Sequence, residues 1–500
     1  MEEFTGILTI AIFLPIVAAI IILIFLQGKN ARNFALAISI LELIITSYVF
    51  LEYRSNPDGY QFIDRLNWIP IESFKTEYFL GIDGLSAPLL FLTGLLGVVA
   101  IFASWTITNR VKEHFIWLLI LQGSVIGVFT SLDFFLFFLF WELELIPMFF
   151  LISIWGTGRK EYSAMKFLIF TILGSAFMLI GLLAIYVSTG TFDMTALPEK
   201  ISTAISIGDL IIPASWLFLL TIIGFAIKLP VFPFHTWLPD AHTDAPTAAS
   251  VMLAGVLLKM GGYGMFRISA TMFPEQLHNF SLWIAIFGLI NIIYGAVVTI
   301  RQTDLKRLIA YSSISHMGFI LLGLAAVSGD SLRLGFSGAA LQMFTHGTIT
   351  GLMFLTVGFI YERTHTRYIP DLGGLANVMP ILASSILIAG LASLGLPGTS
   401  GFVAEIIIFM GSFAAFPILT AIATVAVVLT AGYILWMIQR SMFGKRPEKF
   451  DSLSDAKAHE IIPITMLIIS IIFVGVYPSF ISDIFTLGIE PIASAVGVIN

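Results

Sequence analysis

Residues 214–233 read ASWLFLLTIIGFAIKLPVFP, and this stretch contains the two features that decide the fold. Its 20 residues are enough for a helix to cross the hydrocarbon core of a bilayer. Lys228 nevertheless lies inside the stretch, and Pro230 and Pro233 follow it. Proline lacks the backbone N–H that a helix interior needs. We therefore predict a membrane helix that is interrupted beside a buried lysine.

The whole chain has the composition of a membrane protein. Apolar residues other than glycine make up 58% of its 500 residues, and charged residues make up only 11%. Soluble domains carry about 25% charged residues, so soluble enzymes and nucleic-acid-binding proteins are excluded. The chain has no cysteine, which excludes disulfides and cysteine-held zinc or iron–sulfur clusters. In a redox complex, electrons would therefore travel through other subunits.

Apolar runs of spanning length recur along the sequence without the alternation of a β-barrel strand. Backbone groups have no water to bind in the bilayer core, so we predict an all-α polytopic membrane protein. A length of about 20 residues per span gives the positions of its transmembrane helices. The fourteen predicted spans are 5–26, 34–53, 85–108, 115–131, 134–155, 167–187, 214–233, 247–267, 280–300, 308–327, 334–360, 381–411, 416–440 and 461–478.

The basic residues predict the orientation of these spans. Seventeen of the 25 Lys and Arg residues lie in one set of alternate connections, and six lie in the other set. Basic connections remain in the cytoplasm, so we predict both termini on the non-cytoplasmic side. Met1-Glu2-Glu3 lacks the positive charge of a signal peptide, and the apolar run after it is too long for one. The two remaining basic residues, Lys228 and Lys259, lie inside predicted spans.

These two lysines belong to a series of ionisable residues within the spans. A charge at mid-bilayer costs about 2.5–3.5 kcal/mol on insertion scales, so such residues are paired, hydrated or functional. One Glu–Lys pair can simply fix helix register, and a lone buried histidine is usually a packing residue. Acids and bases that alternate over many helices indicate a proton relay instead. The candidates are Glu142, Lys228, Lys259, His316, His346 and Glu405, with Glu144 as a secondary candidate and Glu42 as a further one.

Glu144 lies two residues from Glu142 and therefore points about 200° away round the helix. We expect it to contact a neighbouring helix or a helix end. His235 and His242 are two more secondary candidates, on either side of Leu238-Pro239-Asp240. A metal site needs further ligands, so we favour a loop that hydrogen-bonds to the end of a water channel.

Two predicted helices contain breaks at matching positions. One break is at Pro230 and the other is at Pro397-Gly398, and the charged residues Lys228 and Glu405 lie beside them. If spans four to eight and nine to thirteen form two five-helix repeats, both breaks fall in the fourth helix. An odd number of helices per repeat makes the repeats inverted, as in many transporters. The predicted segments are 1–114 (helices 1–3), 115–267 (first repeat), 280–440 (second, inverted repeat) and 441–500 (a cytoplasmic loop and helix 14). Kinks with only a packing role remain the alternative.

Several of these residues lie in motifs that resemble one known family. The motifs are Trp141-Glu142-Leu143-Glu144-Leu145-Ile146-Pro147, Lys228-Leu229-Pro230 with His235-Thr236-Trp237-Leu238-Pro239-Asp240-Ala241-His242, Leu257-Leu258-Lys259-Met260-Gly261, and Asp304-Leu305-Lys306-Arg307 through His316-Met317-Gly318. Over about residues 80–440 the chain resembles the antiporter-like subunits of respiratory complex I. Residues 362–367 and 401–405 resemble its subunit M branch (chain 4 or NdhD type). The related L, N and Mrp D subunits usually carry lysine at the position of Glu405.

The resemblance implies fourteen helices with two inverted repeats, in a non-redox subunit of a proton-translocating quinone oxidoreductase. It pairs Glu142 with Lys228, places Lys259 at the centre, makes His316 and His346 links, and makes Glu405 the exit group. It implies no cofactor in this subunit, with quinone, iron–sulfur clusters and flavin or ferredoxin in partner subunits. The implied partners are other antiporter-like and small membrane subunits, the lateral helix of an L-type subunit and the lipid bilayer, but no nucleic acid. The implied location is a bacterial cytoplasmic or thylakoid membrane.

The mechanism we expect begins with Glu142, which holds Lys228 protonated. Unit charges about 7 Å apart at an effective dielectric constant near 20 interact by roughly 2.4 kcal/mol. When charge in a neighbouring subunit draws Glu142 away, the proton would move towards Lys259 and then through His316 and His346 to Glu405. Two alternatives stay open: an Mrp-type Na⁺/H⁺ antiporter subunit, which needs no electron donor, and a structural membrane scaffold.

Overall fold

A computed structural model of the protein describes residues 4–71, 74–329 and 331–497, so Met1-Glu2-Glu3 lie outside the described residues. The described chain contains eighteen helices and one β-hairpin. The elements are α1 (Ile7–Phe25), α2 (Gly28–Ser55), β1 (Gln61–Ile71), β2 (Phe74–Ile82), α3 (Ala87–Ala103), α4 (Val111–Thr130), α5 (Phe134–Trp155), α6 (Lys160–Thr189), α7 (Leu197–Ile207), α8 (Ala214–Lys228), α9 (Trp237–Asp244), α10 (Thr247–Ala270), α11 (Pro274–Ile300), α12 (Leu305–Leu324), α13 (Ser331–Thr364), α14 (Pro380–Ser393), α15 (Ser400–Ala415), α16 (Pro417–Met442), α17 (Ala458–Val476) and α18 (Ser479–Gly497).

The helices match the predicted spans in order. Twelve helices in the described chain are long and apolar enough to cross a membrane. Eleven of these, the 17-residue α3 and two broken helices correspond to the fourteen predicted spans. The first broken helix consists of α8 and α9, and the second consists of α14 and α15. The prediction of a helical, polytopic membrane protein with broken helices is confirmed, and the boundaries of the repeats stay a prediction.

The connections between the spans gather on two opposite faces of the bundle. Thr106 donates to a Glu362 carboxylate oxygen (2.8 Å), which joins the α3–α4 connection to the end of α13. The backbone N–H of Gly374 donates to the carbonyl of Phe443 (2.9 Å) and joins two further connections. We call the face formed by residues 104–110, 301–304, 365–379 and 443–457 the basic face. Between any two of these connections the chain crosses the bundle an even number of times, so they lie on the same side. This face carries the basic connections identified in the sequence.

The opposite face carries a β-hairpin that the sequence analysis did not predict. β1 and β2 pair antiparallel between α2 and α3. Asp64 in β1 accepts hydrogen bonds from the Gly6 N–H (2.6 Å) and the Thr9 N–H (3.1 Å), so it stabilises the N-terminus of α1. Asp133 accepts from the N–H groups of Glu77 (3.0 Å) and Leu136 (2.9 Å). Burial raises the pKa of Asp133 to about 6. The all-α description therefore holds for the spans and not for the strands Gln61–Ile71 and Phe74–Ile82.

Helix α18, which the sequence analysis also missed, packs on the same face. A Cβ on Gly84 would lie 2.3 Å from the carbonyl oxygen of Ile484, so α18 contacts the chain just before α3. Arg333, in the first turn of α13, forms an ion pair with Glu490 (2.5 Å). The partners of α18 thus lie at the beginnings of other helices. This helix therefore lies across the ends of the spans.

Candidate functional site

The first ionic contact in the bundle joins α5 to α8. α5 changes its hydrogen-bonding pattern at Glu144, shortly before Pro147. The Glu144 side chain is fully buried, and its Oε1 forms an ion pair with Lys228 Nζ. Glu142 is only half-buried, and its Oε1 has no hydrogen-bond partner among the described residues. The predicted pairing of Glu142 with Lys228 is therefore wrong, because the neighbour of Lys228 is the other acid.

The physical reason lies in helix geometry. Two residues that are two positions apart point about 200° away from each other, and Glu144 is the one whose carboxylate forms the ion pair with Lys228. Lys228 also lies between two aromatic rings, 5.5 Å from the Trp141 centroid and 5.4 Å from the Phe167 centroid. Such rings attract a cation. The ion pair and the two rings surround the Lys228 ammonium group at the end of α8, where the helix breaks.

Close packing brings α8 next to α10, which carries Lys259. A Cβ on Gly261 would lie 2.8 Å from both the Leu229 nitrogen and the Phe225 oxygen, so only glycine permits this approach. Lys259 is completely buried. Wider π-helical turns at Leu253–Leu257 and Met265–Ala270 lie on either side of it, and such turns are frequent at functional sites.

A row of buried polar groups begins at Lys259. Its Nζ donates to the carbonyl oxygen of Ala254 and lies 2.8 Å from His346 Nδ1. The rings of His346 and His316 have centroids 5.6 Å apart. His316 Nδ1 lies 3.3 Å from Glu405 Oε1. The structure thus brings together four of the six primary candidates from four different helices.

The second broken helix forms the end of this row. α14 ends at Ser393, whose hydroxyl lies 3.1 Å from His316 Nε2. α15 then begins at Ser400 and carries Glu405, which is 6% exposed. A small cavity of about 10 Å³ lies between His316, His346 and Glu405. It has room for about one water molecule. Ser393 is not among the predicted site residues, because an isolated serine at a helix end carries no distinctive pattern.

The two secondary histidines lie between this row and the basic face. His235 Nε2 is 3.2 Å from the Tyr294 hydroxyl. His242 is fully buried, stacks on Phe354 with centroids 4.5 Å apart, and has no hydrogen-bond partner for either ring nitrogen among the described residues. Residues 237–244, which include His242, form helix α9 rather than the predicted loop. Whether these histidines adjoin a water channel stays a prediction.

An ionic cluster that the sequence did not predict includes two aspartates of α9. Asp240 accepts from Lys166 Nζ (2.7 Å) and lies 3.6 Å from a guanidinium nitrogen of Arg307. Asp244 accepts from the Ser163 hydroxyl (2.6 Å). Both aspartates follow the break in the first broken helix, which is the signal that could have identified them. The cluster places charged groups between His242 and the basic face.

Glu42, the further candidate, lies apart from the row. It is completely buried in α2, and neither carboxylate oxygen has a hydrogen-bond partner among the described residues. α2 packs against α3 and α4 at this level, and Ser39 lies 3.3 Å from the Gln122 side-chain oxygen. Glu42 therefore faces the interior of this three-helix unit.

Comparison with known proteins agrees with this architecture. Residues 131–430 match the family model described as NADH:quinone oxidoreductase/Mrp antiporter, transmembrane region. The chain belongs to this family. NADH-quinone oxidoreductase subunit M of Rickettsia felis is 39% identical over 97% of this chain and 98% of its own length. The chloroplastic NAD(P)H-quinone oxidoreductase chain 4 of Mesostigma viride is 39% identical over 100% of this chain and 99% of its own. The predicted resemblance to the subunit M branch is confirmed.

Two solved structures share the fold. A chain of respiratory complex I from Thermus thermophilus superposes with a TM-score of 0.86, at 28% identity, over 98% of this chain and 99% of its own. A chain of the Mrp complex from Dietzia superposes with a TM-score of 0.83 over 99% of this chain and 100% of its own. Its 19% identity shows the fold alone. The protein is thus an antiporter-like integral membrane protein.

Proposed function

We propose that the protein is a proton-translocating membrane-arm subunit of a complex I type NAD(P)H or ferredoxin:quinone oxidoreductase. The names of its relatives and the similarity to a chain of complex I support this assignment. Quinone reduction would take place in partner subunits, which would hold the quinone, the iron–sulfur clusters and the flavin or bind ferredoxin. The role of this chain would be to move protons without electron transfer.

The observation that carries the proposal is the buried row Lys259–His346–His316–Glu405. Its members are 2.8 Å apart at Lys259–His346 and 3.3 Å apart at His316–Glu405. Ionisable groups inside a membrane are costly and commonly mark proton pathways. An alternation of amine, imidazoles and carboxylate can pass a proton by small rearrangements. One water in the adjoining cavity would bridge the gap between His346 and His316.

In the proposed mechanism, Glu144 holds the proton on Lys228. Opposite unit charges about 4 Å apart at an effective dielectric constant of 20 interact by roughly 4 kcal/mol. When charge in a neighbouring subunit draws Glu144 away, Lys228 would release its proton towards Lys259. Glu142 is half-buried and its Oε1 has no partner among the described residues, and the proposed mechanism gives it no step. His346 and His316 would then pass the proton to Glu405.

The surroundings of the subunit form part of the same proposal. The basic face would meet the cytoplasm, with both termini on the other side of a bacterial cytoplasmic or thylakoid membrane. The partners would be other antiporter-like and small membrane subunits, including the lateral helix of an L-type subunit. The exposed apolar side chains on the spans would contact the bilayer.

The test uses purified complex that contains Lys259→Met, reconstituted into liposomes, with proton uptake and quinone reduction recorded together. We expect at least a tenfold loss of proton uptake, because the row loses its first member. Lys29→Met, which removes an exposed charge at the start of α2, is the matched control. Proton uptake at the normal rate and stoichiometry in the Lys259 variant would remove this residue from the relay.

A second candidate function is that of an Mrp-type Na⁺/H⁺ antiporter subunit. The description of the family model, which includes Mrp antiporters, favours it. Glu405 argues against it, because the resemblance gives the Mrp D subunit a lysine at this position. Sodium-driven proton exchange by a preparation without electron donor or quinone would support the antiporter. Proton uptake that depends strictly on quinone reduction would exclude it.

A further inference from the structure

One side of α16 faces outward and ends in an aromatic residue. Val428 is 72% exposed and Leu435 is 47% exposed, so this side presents apolar side chains outward along much of the helix. Trp436 follows and is 44% exposed. Tryptophan is enriched where hydrocarbon meets the lipid headgroups. The exposed side of α16 therefore leaves the hydrocarbon region at about Trp436, close to the basic face.

A cleft of about 500 Å³ opens beside this end of α16, between the helix and the loop that contains Gly373. The Arg440 guanidinium stacks over the Trp436 ring, 3.8 Å from its centroid. Arg440 Nε is buried and has no hydrogen-bond partner among the described residues. A buried, unpartnered donor that adjoins an open cleft indicates a missing acceptor.

The cleft also contains positive charge without a balancing carboxylate. Lys445 is exposed and lines the same cleft as Arg440. In the part of the chain that the structure describes, neither residue has an acidic partner within ion-pair distance. The next basic residue, Arg446, does have one, because it pairs with Asp451 at 2.6 Å. The two unpaired cations therefore remain available to an anion from outside the chain.

The backbone holds the cleft in place. The N–H of Gly374 donates to the carbonyl of Phe443 (2.9 Å). A Cβ on Gly373 would lie 2.7 Å from the carbonyl oxygen of Lys445. The two connections thus pack backbone to backbone, and this packing fixes the positions of Arg440 and Lys445 relative to each other.

We propose that this cleft binds the phosphate headgroup of an anionic phospholipid. The guanidinium of Arg440 would donate to the phosphate oxygens, for which its geometry is suited, and Lys445 would add a second positive charge. The acyl chains would lie along the exposed side of α16. A lipid fits better than a soluble phosphate compound, because the cleft is continuous with this apolar side. Basic pockets at the cytoplasmic ends of membrane helices commonly bind such headgroups.

The test compares purified, delipidated complex carrying Arg440→Gln and Lys445→Gln with complex carrying Arg301→Gln and Lys29→Gln. The second variant removes the same charge from exposed positions outside the cleft. Binding of phosphatidylglycerol is measured by native mass spectrometry at increasing lipid concentration. Phosphatidylcholine tests whether the headgroup must carry a net negative charge, and inorganic phosphate tests whether the acyl chains are needed. Each basic residue near a headgroup contributes about 1 kcal/mol, so affinity for phosphatidylglycerol should fall about 30-fold in the cleft variant and little in the other.

Equal phosphatidylglycerol binding by the two variants would overturn the proposal. Competition by inorganic phosphate at millimolar concentration would replace the lipid with a soluble anion as the ligand. Failure of the unmodified complex to bind more phosphatidylglycerol than the cleft variant would also overturn the proposal, because Arg440 and Lys445 would then contribute no binding site. Neither Arg440 nor Lys445 belongs to the proposed proton relay, so these results are independent of the proton measurements.

Discussion

Replacement of Glu144 by glutamine is the sharpest test of the site. Glu144 is fully buried and is the ion-pair partner of Lys228. The change keeps the shape of the side chain and removes an interaction of roughly 4 kcal/mol at an effective dielectric constant of 20. That is close to a thousandfold change in an equilibrium. We therefore expect proton uptake and coupled quinone reduction to fall at least tenfold. Glu142→Gln, which removes the half-buried acid, should lower both by less than threefold.

The assay must separate lost function from lost stability. A buried charge left without its partner destabilises a protein by about 3–5 kcal/mol. The double variant Glu144→Gln/Lys228→Met removes both charges and should assemble normally, as shown by the subunit content of purified complex, but it should still not pump. Proton uptake and quinone reduction are recorded on the same liposomes. If Glu142→Gln abolishes pumping and Glu144→Gln does not, the ion pair seen here is not the one that controls the relay.

Three other variants test the packing, the isolated acid and the hairpin. A Cβ on Gly261 would lie 2.8 Å from the Leu229 nitrogen, so Gly261→Ala should destabilise the protein by about 1–3 kcal/mol and slow proton uptake. Gly432→Ala, with open space around the new methyl group, should change neither. Glu42→Met removes a buried, unpartnered carboxyl and should raise the melting temperature while proton uptake stays normal; reduced uptake would place Glu42 in the relay. Burial raises the pKa of Asp133 from 3.8 to about 6. The protonated side chain therefore contributes its full stability below pH 3.8, and this contribution is lost as the pH rises through 6. Asp133→Asn should flatten the dependence of melting temperature on pH in this range.

The ionisable candidates illustrate how far sequence patterns extend. Lys259, His316, His346 and Glu405 were found because ionisable residues are rare within apolar runs, and the structure places them in one row. The choice between Glu142 and Glu144 was wrong because a sequence states that two acids point in different directions but not which direction faces α8. The orientation depends on how α5 is rotated against its neighbours.

The missed elements have a related explanation. The strands Gln61–Ile71 and Phe74–Ile82 contain polar residues at short intervals, so they do not stand out beside the long apolar runs. Helix α18 is long and apolar enough to be a candidate span, and its sequence does not show that it lies across the ends of the other spans. Both are stabilised by distant contacts, such as that of Asp64 with the N-terminus of α1 and that of Gly84 with α18. A search for apolar runs cannot register contacts between residues so far apart in the chain.

The sequence by itself determined that this chain spans a membrane, how often it does so and where two helices break. These properties follow from local quantities: the transfer of apolar side chains into hydrocarbon and the missing N–H of proline. Only the tertiary structure decided that Lys228 meets Glu144, that Lys259 reaches His346, and that Arg440 adjoins a cleft without a counter-charge. Those contacts join residues of different helices, and their formation depends on helix rotation and on the close approach that small residues such as Gly261 permit.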